Sequence, residues 1–190
     1  MIGRHSGPER RLSIREASGD RHVANARALF IEYRDWLATH REVTSFPDAV
    51  LDTGLALLDK EIEGLPGEYV RPAGALLVAY HGRTPVGCAA LRPQGPGTAE
   101  FKRLYVRPAL RGSGVGRRLT VRAVDGAREL GYRRVVLDTL PGMGPAIALY
   151  RALGFRPIAP YWAHPVAGAL FFEFSLRPRR GRTNLSAGPG

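Results

Sequence analysis

The chain has 190 residues, 44% of them hydrophobic, and a formal net charge of +11, which is enough for one domain with its own core and gives no apolar run long enough to span a bilayer. Lys60 and Lys102 are the only lysines among 28 basic residues, and the arginines are scattered without a basic, aromatic-interleaved helix, which argues against a nucleic-acid partner. One cysteine, Cys88, excludes an internal disulfide and makes a cysteine-built metal site implausible, and the opening residues lack the hydrophobic centre of a signal peptide, so a soluble, cytoplasmic protein with no membrane partner is expected.

Residues 1–11 are polar and read as a flexible segment, and Leu12–Arg15 alternates as a first strand does. From Asp20, read as an N-cap, Val23, Ala26, Phe30, Tyr33 and Leu37 recur at helical spacing. Ser45-Phe46-Pro47-Asp48 resembles a capping box for a second helix carried by Leu51, Leu55, Leu58 and Ile62 and ended by Gly64. Residues 64–74 read as a loop. Ala75–Tyr80 and Val86–Arg92 read as a hairpin turned at residues 81–85, with Cys88 a small core residue in its second strand. A turn over 93–97 leads into a strand from Glu100 to Val106.

That strand stops at Arg107-Pro108, and Gly112, Gly114 and Gly116 follow just before an amphipathic run of Val115, Leu119, Ala123, Ala127 and Leu130. Strand, glycine loop and helix start together present unpaired N–H groups to an anion, so the loop reads as a phosphate site. A dinucleotide fingerprint from Gly112 requires glycine at Arg117, and a Walker loop requires Gly-Lys at Arg117-Arg118; both fail. Gly131-Tyr132 ends the helix, Arg134–Asp138 is the next strand, and Pro145 opens a helix through Ala146, Leu149, Tyr150 and Leu153 that Gly154-Phe155 closes. Ala169–Leu176 is the last strand, and residues 177–190 read as a disordered basic tail. The helix between Val106 and Arg134 requires a parallel crossover while the hairpin before it is antiparallel, so the sheet is mixed and flanked by helices.

Arg111, Gly114 and Gly116 form R-x-x-G-x-G, which resembles the pyrophosphate motif of the GNAT superfamily of acetyl-CoA-dependent N-acetyltransferases. The run from Ala146 to Tyr150, followed by Leu153-Gly154-Phe155, resembles the later A-x-x-L-Y-x-x-L-G-F helix of that superfamily. The element order agrees, and the resemblance covers residues 12–176 as a single α/β domain. It implies acetyl-CoA as cosubstrate with no metal, an amine acceptor as the other partner, and a monomer or homodimer. The N–H groups of Gly112, Ser113, Gly114, Val115, Gly116 and Arg117 would hold the pyrophosphate, with charge from Arg111 and Arg117. The Leu104 N–H would polarise the thioester, the Tyr105–Val106 main chain would pair with the pantetheine arm, and Ala146 and Tyr150 would flank it. Met143 departs from the pattern, since many relatives have asparagine there.

Acetyl transfer to an amine needs a neutral amine, a polarised carbonyl and a proton for the departing thiolate. An aliphatic amine of pKa ~10.4 is only about one part in a thousand neutral at pH 7, which gives a base something to do. Glu100 is the candidate base, directly or through water, and its alternative reading is a surface ion pair with Lys102. Tyr150 is the candidate general acid, with a core position as its alternative. Tyr33 and Trp36 would reach a pocket if the first helix borders one. Tyr69, Tyr161 and Trp162 would pack on an acceptor or on one another, and His164 is the one histidine considered near an acceptor. The expected function is transfer of acetyl from acetyl-CoA to a primary amine of a small molecule or amino acid in a ternary complex. Alternatives are an acyl-CoA-binding regulatory module without turnover, a protein or peptide N-acetyltransferase, and a basic nucleic-acid-binding domain.

Overall fold

A computed structural model describes residues 12–41, 47–162 and 168–176; the terminal segments, Ser45-Phe46 of the expected capping box and His164 lie outside them. The elements are β1 (Leu12–Glu16), α1 (Asp20–Thr39), α2 (Asp48–Glu63), β2 (Ala75–His81), β3 (Thr84–Gly95), β4 (Thr98–Val106), a 3-10 turn (Pro108–Leu110), α3 (Val115–Glu129), β5 (Arg134–Thr139), α4 (Gly144–Leu153), β6 (Arg156–Pro157) and β7 (Leu170–Ser175). They form one mixed seven-stranded sheet in the order β1-β2-β3-β4-β5-β7-β6. Only β4 and β5 run parallel, joined through α3, as a short connection cannot join parallel strands.

Strand alternation sorts the core into two layers. On β2, Ala75, Leu77 and Ala79 face the layer that includes Val115, Leu119 and Ala123 of α3 and Ile147 and Tyr150 of α4. Leu76, Val78 and Tyr80 face the layer of α1 and α2, where Phe30, Leu51, Leu55, Leu58 and Ile62 are buried. Each fully buried leucine or phenylalanine contributes about 1.5–3 kcal/mol of burial free energy, so α1–α2 and α3–α4 are held to opposite faces of the sheet.

Two sequence expectations are corrected, and two elements are added to them. Asp20 is the first residue of α1, not its cap: Gly19 holds the N-cap at φ 82°, a conformation costly to other residues, and Asp20 instead places charge near the helix N-terminus. β3 runs on to Gly95 through Pro93; pairing with β2 ends at Leu91, so on that side Pro93 sits where no ladder partner is lost. The connection after Val106 contains a 3-10 turn opened by Pro108. The strand β6, two residues long and including a proline, is too short for any periodicity to announce.

Candidate active site

β4 pairs with β3 as far as Val106 but with β5 only over Thr98–Glu100, while β5 continues to Thr139 beside β7. Beyond Glu100 the two parallel strands therefore part. The divergence coincides with a bulge: Cys88 pairs with Tyr105 and Ala90 with Lys102, so Arg103 and Leu104 together oppose Ala89. Such an extra residue bends its strand. Arg103 is the bulged residue, at φ 59°, a rare conformation for a side chain of its size. Its guanidinium grips both oxygens of Glu61 on α2 at 2.8 and 2.7 Å, and Tyr69 donates a further bond to Glu61 at 2.8 Å. Burial alone would raise the Glu61 carboxyl, but Arg103 outweighs it and holds it below the ordinary carboxylate range.

A cavity of about 640 Å³ opens where the strands part. Phe101, Lys102, Arg103 and Leu104 of β4 form one wall, Asp138, Thr139 and Leu140 another, and Met143, Ala146 and Tyr150 of α4 a third. Tyr33 and Leu37 of α1, residues 49–51, 53–55, 57 and 58 of α2, and Trp162, Ala169 and Phe171 complete it. No side-chain nitrogen or oxygen sealed in the interior lacks a hydrogen-bond partner among the described residues. The Tyr33 and Tyr150 hydroxyls bond no protein group there and therefore open on the cavity. Burial raises the Tyr150 phenol above its ordinary value, and the Asp138 charge adds to the rise; the Tyr150 ring is at the same time packed against Phe101, Phe155 and Phe172. Its core and cavity roles are not exclusive.

Glu100 lies behind this wall. Its side chain is 0% exposed, and it accepts bonds from Arg92 Nε at 2.7 Å, the Tyr161 hydroxyl at 2.9 Å and Lys102 Nζ at 3.4 Å. The expected pair with Lys102 exists, but in the interior and not on the surface. Lys102 Nζ also reaches Asp138 Oδ1 at 3.0 Å and lies 5.0 Å from the Trp162 ring centre. Asp138, which sequence reasoning passed over, lines the cavity and keeps Oδ2 without a partner among the described residues. Its signal was available: it is the polar end of the buried run Val135–Leu137, at the carboxyl end of a parallel strand where open α/β sheets gather their ligands. Burial raises the Tyr161 phenol, and the negative charges of Glu100 and Asp138 raise it further.

The glycine loop lies outside the cavity lining, beyond the end of β4. Gly112 and Gly114 have φ 80° and 87°, and nothing stands within 4 Å of where a side chain would begin at either. The first N–H of α3 with a backbone acceptor is that of Arg118, to Gly114 at 3.1 Å, which leaves those of Val115, Gly116 and Arg117 without one. No acidic residue occupies the first turn of α3. Arg117 is exposed and makes no contact with another side chain among the described residues. Open space, convergent donors and an uncompensated cation suit a pyrophosphate.

Other expected contacts are otherwise engaged. Arg111 folds back, its Nε donating to the Val106 carbonyl at 3.1 Å and its guanidinium 5.0 Å from the Trp36 ring centre and 5.9 Å from that of Tyr105. The Ser113 N–H, expected on the pyrophosphate, donates to Leu110 O at 3.4 Å, as does its hydroxyl at 2.7 Å. Tyr105 turns into the α1–α2 layer beside Tyr33, and of residues 104–106 only Leu104 lines the cavity. Tyr69 packs on Phe30 away from the cavity, Tyr161 packs on Trp162 and Phe171, and of Tyr69, Tyr161 and Trp162 only Trp162 borders the space. Among the described residues no group of His, Cys, Asp or Glu is arranged to hold a metal ion, and no helix is long and apolar enough to cross a membrane.

Residues 30–155 match the model of the Acetyltransferase (GNAT) family. An uncharacterized N-acetyltransferase of Schizosaccharomyces pombe is 37% identical over 129 residues, covering 66% of this chain and 78% of its own. The PaiA N-acetyltransferase of Thermoplasma acidophilum, solved in complex with coenzyme A, superimposes with a TM-score of 0.68 at 19% identity over 87% of this chain and 99% of its own. YncA of Salmonella typhimurium, a putative acetyltransferase solved with acetyl-CoA, gives 0.60 at 22% identity over 89% and 96%. The superpositions show that this chain shares its fold with those structures.

Proposed function

The chain belongs to the GNAT family of acetyltransferases, and from that premise we propose that it moves the acetyl group of acetyl-CoA directly to a primary amine of a small molecule within a ternary complex. The observation that carries the reading is the Tyr150 hydroxyl, kept protonated by burial and opening on the cavity between the parted strands. In this reading the N–H groups of Gly112, Gly114, Val115, Gly116 and Arg117 hold the pyrophosphate of acetyl-CoA, with Arg117 supplying the free charge. The pantetheine arm follows β4 past Val106, Tyr105 and Leu104 and ends beside Ala146 and Tyr150. The Leu104 N–H, on the bulge, is proposed to polarise the thioester carbonyl.

The acceptor enters as an ammonium ion and must lose one proton before it attacks. Asp138, with an oxygen free toward the cavity, is proposed to take that proton first, as the outer member of a coupled cluster with Lys102 and Glu100. Glu100 then acts as base from behind, through the cluster, because its own oxygens are held by three donors. Once the amine attacks, its second proton ends on the sulfur of CoA. A phenol above pKa ~10 donating to a thiolate near ~8.5 is uphill, so Tyr150 donates a hydrogen bond to the developing thiolate, and the nitrogen of the tetrahedral intermediate supplies the proton that remains there.

The test is amine-dependent release of CoA thiol from acetyl-CoA, with Tyr150→Phe in parallel. Release that falls at least about 100-fold in the variant, with acetyl-CoA binding retained, supports the assignment. Binding of acetyl-CoA without release across small amines and lysine peptides favours a regulatory module instead.

A further inference from the structure

The polar groups of the cavity wall are nearly all spoken for. Arg103 is bonded by both oxygens of Glu61, and Lys102 is shared between Asp138 and Glu100, whose remaining charge meets Arg92. Among the charged groups of the wall, Asp138 Oδ2 and Arg103 Nη1 are left without a hydrogen-bond partner among the described residues; the Arg103 charge is already matched by both oxygens of Glu61, whereas Asp138 shares its one cation, Lys102, with Glu100. One ammonium has a place there. A second ammonium, or a carboxylate, entering the same space would lose its water with no opposite charge to receive it, which is costly.

The rest of the space is apolar and lies against α2. Leu55 and Leu58 are buried there, whereas Val50 and Leu57 stay 37% and 61% exposed while still lining the cavity, so an apolar surface extends to its mouth. Leu104, Ala146 and Tyr150 bound the opposite side, where the acetyl group would arrive. The cavity, about 640 Å³, is far larger than the few tens of Å³ that an acetyl group and an amine nitrogen occupy, on the scale of ~30 Å³ for one water.

Building on the acetyl-transfer reading above, we infer that the acceptor is a monoamine whose amino group is carried on an apolar, ring-sized body, with no carboxylate and no second positive charge, seated against α2. Polyamines and free amino acids are then poor acceptors. Ala49, exposed and at the cavity edge on α2, is the position from which the body can be blocked without touching the glycine loop.

The experiment compares 2-phenylethylamine, spermidine and phenylalanine as acceptors for the full chain at saturating acetyl-CoA, with Ala49→Trp alongside. The expected result is a kcat/KM for 2-phenylethylamine at least about tenfold above the other two, a tenfold step being about 1.4 kcal/mol. That advantage should fall about tenfold in Ala49→Trp, with acetyl-CoA binding by calorimetry unchanged. Equal or better kcat/KM with spermidine or phenylalanine overturns the inference. If acetyl-CoA binds but no amine releases CoA, the transfer reading fails, and calorimetry of the CoA complex decides this inference separately. Saturable 2-phenylethylamine binding that is lost in Ala49→Trp upholds it, and no such binding overturns it.

Discussion

Arg103 and Glu61 join a strand bulge to a helix on the face above it, through bonds of 2.8 and 2.7 Å to the two carboxylate oxygens. The pair ties the bent stretch of β4, beside Leu104, to the helix that walls the acceptor side of the cavity. It therefore sets the distance between those two walls.

Removing one partner leaves the other charge partly buried. Glu61→Gln and Arg103→Met should each lower stability by about 2–4 kcal/mol, below the fully buried case because both side chains retain some exposure. The double replacement by methionine should be less damaging than the sum of the two, as read by urea denaturation. The pH dependence has a definite sign. The folded-state Glu61 carboxyl lies below its ordinary value, so its stabilisation is complete above the unfolded-state value and is lost as pH falls through the folded one. The melting temperatures of wild type and Glu61→Gln should converge as pH falls from 6 toward about 3.

Tyr150→Phe should reduce kcat by about 100-fold or more while leaving the shape of the pH profile unchanged. Burial raises the phenol above the ordinary tyrosine value of about 10, so it stays protonated across the working range and contributes no alkaline fall in rate. A wild-type profile that declines below pH 10 through a group absent in Tyr150→Phe would contradict this.

Gly114 and Gly116 should respond differently to alanine. Gly114 has φ 87°, so Gly114→Ala should cost about 1 kcal/mol of stability even without ligand. Gly116 lies inside α3, and its added Cβ would meet only Leu149 and Val106 at 3.6 and 3.8 Å. Gly116→Ala should thus keep or raise the melting temperature of the free protein and still weaken acetyl-CoA binding about tenfold if the pyrophosphate rests on that N–H. Thermal melts and calorimetry separate the two effects.

Lys102 is 9% exposed and faces both Glu100 and Asp138. Lys102→Met should destabilise the fold by roughly 3 kcal/mol, since it strips a cation from a fully buried carboxylate. Asp138→Asn, at the cavity surface, should leave the melting temperature within a few degrees and lower kcat/KM for the amine, and Glu100→Gln should lower it as well, through the Lys102 link.

The parts of this site that could be read from the residues are those in which the backbone dictates the residue type. Gly112 and Gly114 are glycines because the chain turns through positive φ, and the Gly131-Tyr132 and Gly154-Phe155 pairs mark helix ends where Tyr132 and Phe155 N–H groups reach back to Ala127 and Tyr150 at 3.0 Å. The parts that escaped are set by tertiary packing. Arg103 at φ 59° looks like any charged strand residue, and nothing near it in sequence announces Glu61 as its partner. Glu100 reads as a base or a surface ion pair, and its burial is not legible because its partners Arg92, Lys102 and Tyr161 come together only when three stretches of chain fold. Asp20 reads as a cap because aspartate favours both the cap and the first turn; Gly19 decides between them.

The chain has two tryptophans, and each rests against a cation: Trp36 against Arg111 and Trp162 against Lys102, both 5.0 Å from the ring centre. One is near the end of β4 where the nucleotide would lie, the other at the acceptor cavity. Intrinsic fluorescence thus offers two separate optical channels, one for each half of the ternary complex, distinguishable by replacing either indole with phenylalanine. A ligand that draws Arg111 off its ring changes the emission of Trp36 and leaves that of Trp162 alone, so the order in which the two substrates arrive can be followed by stopped flow without a label.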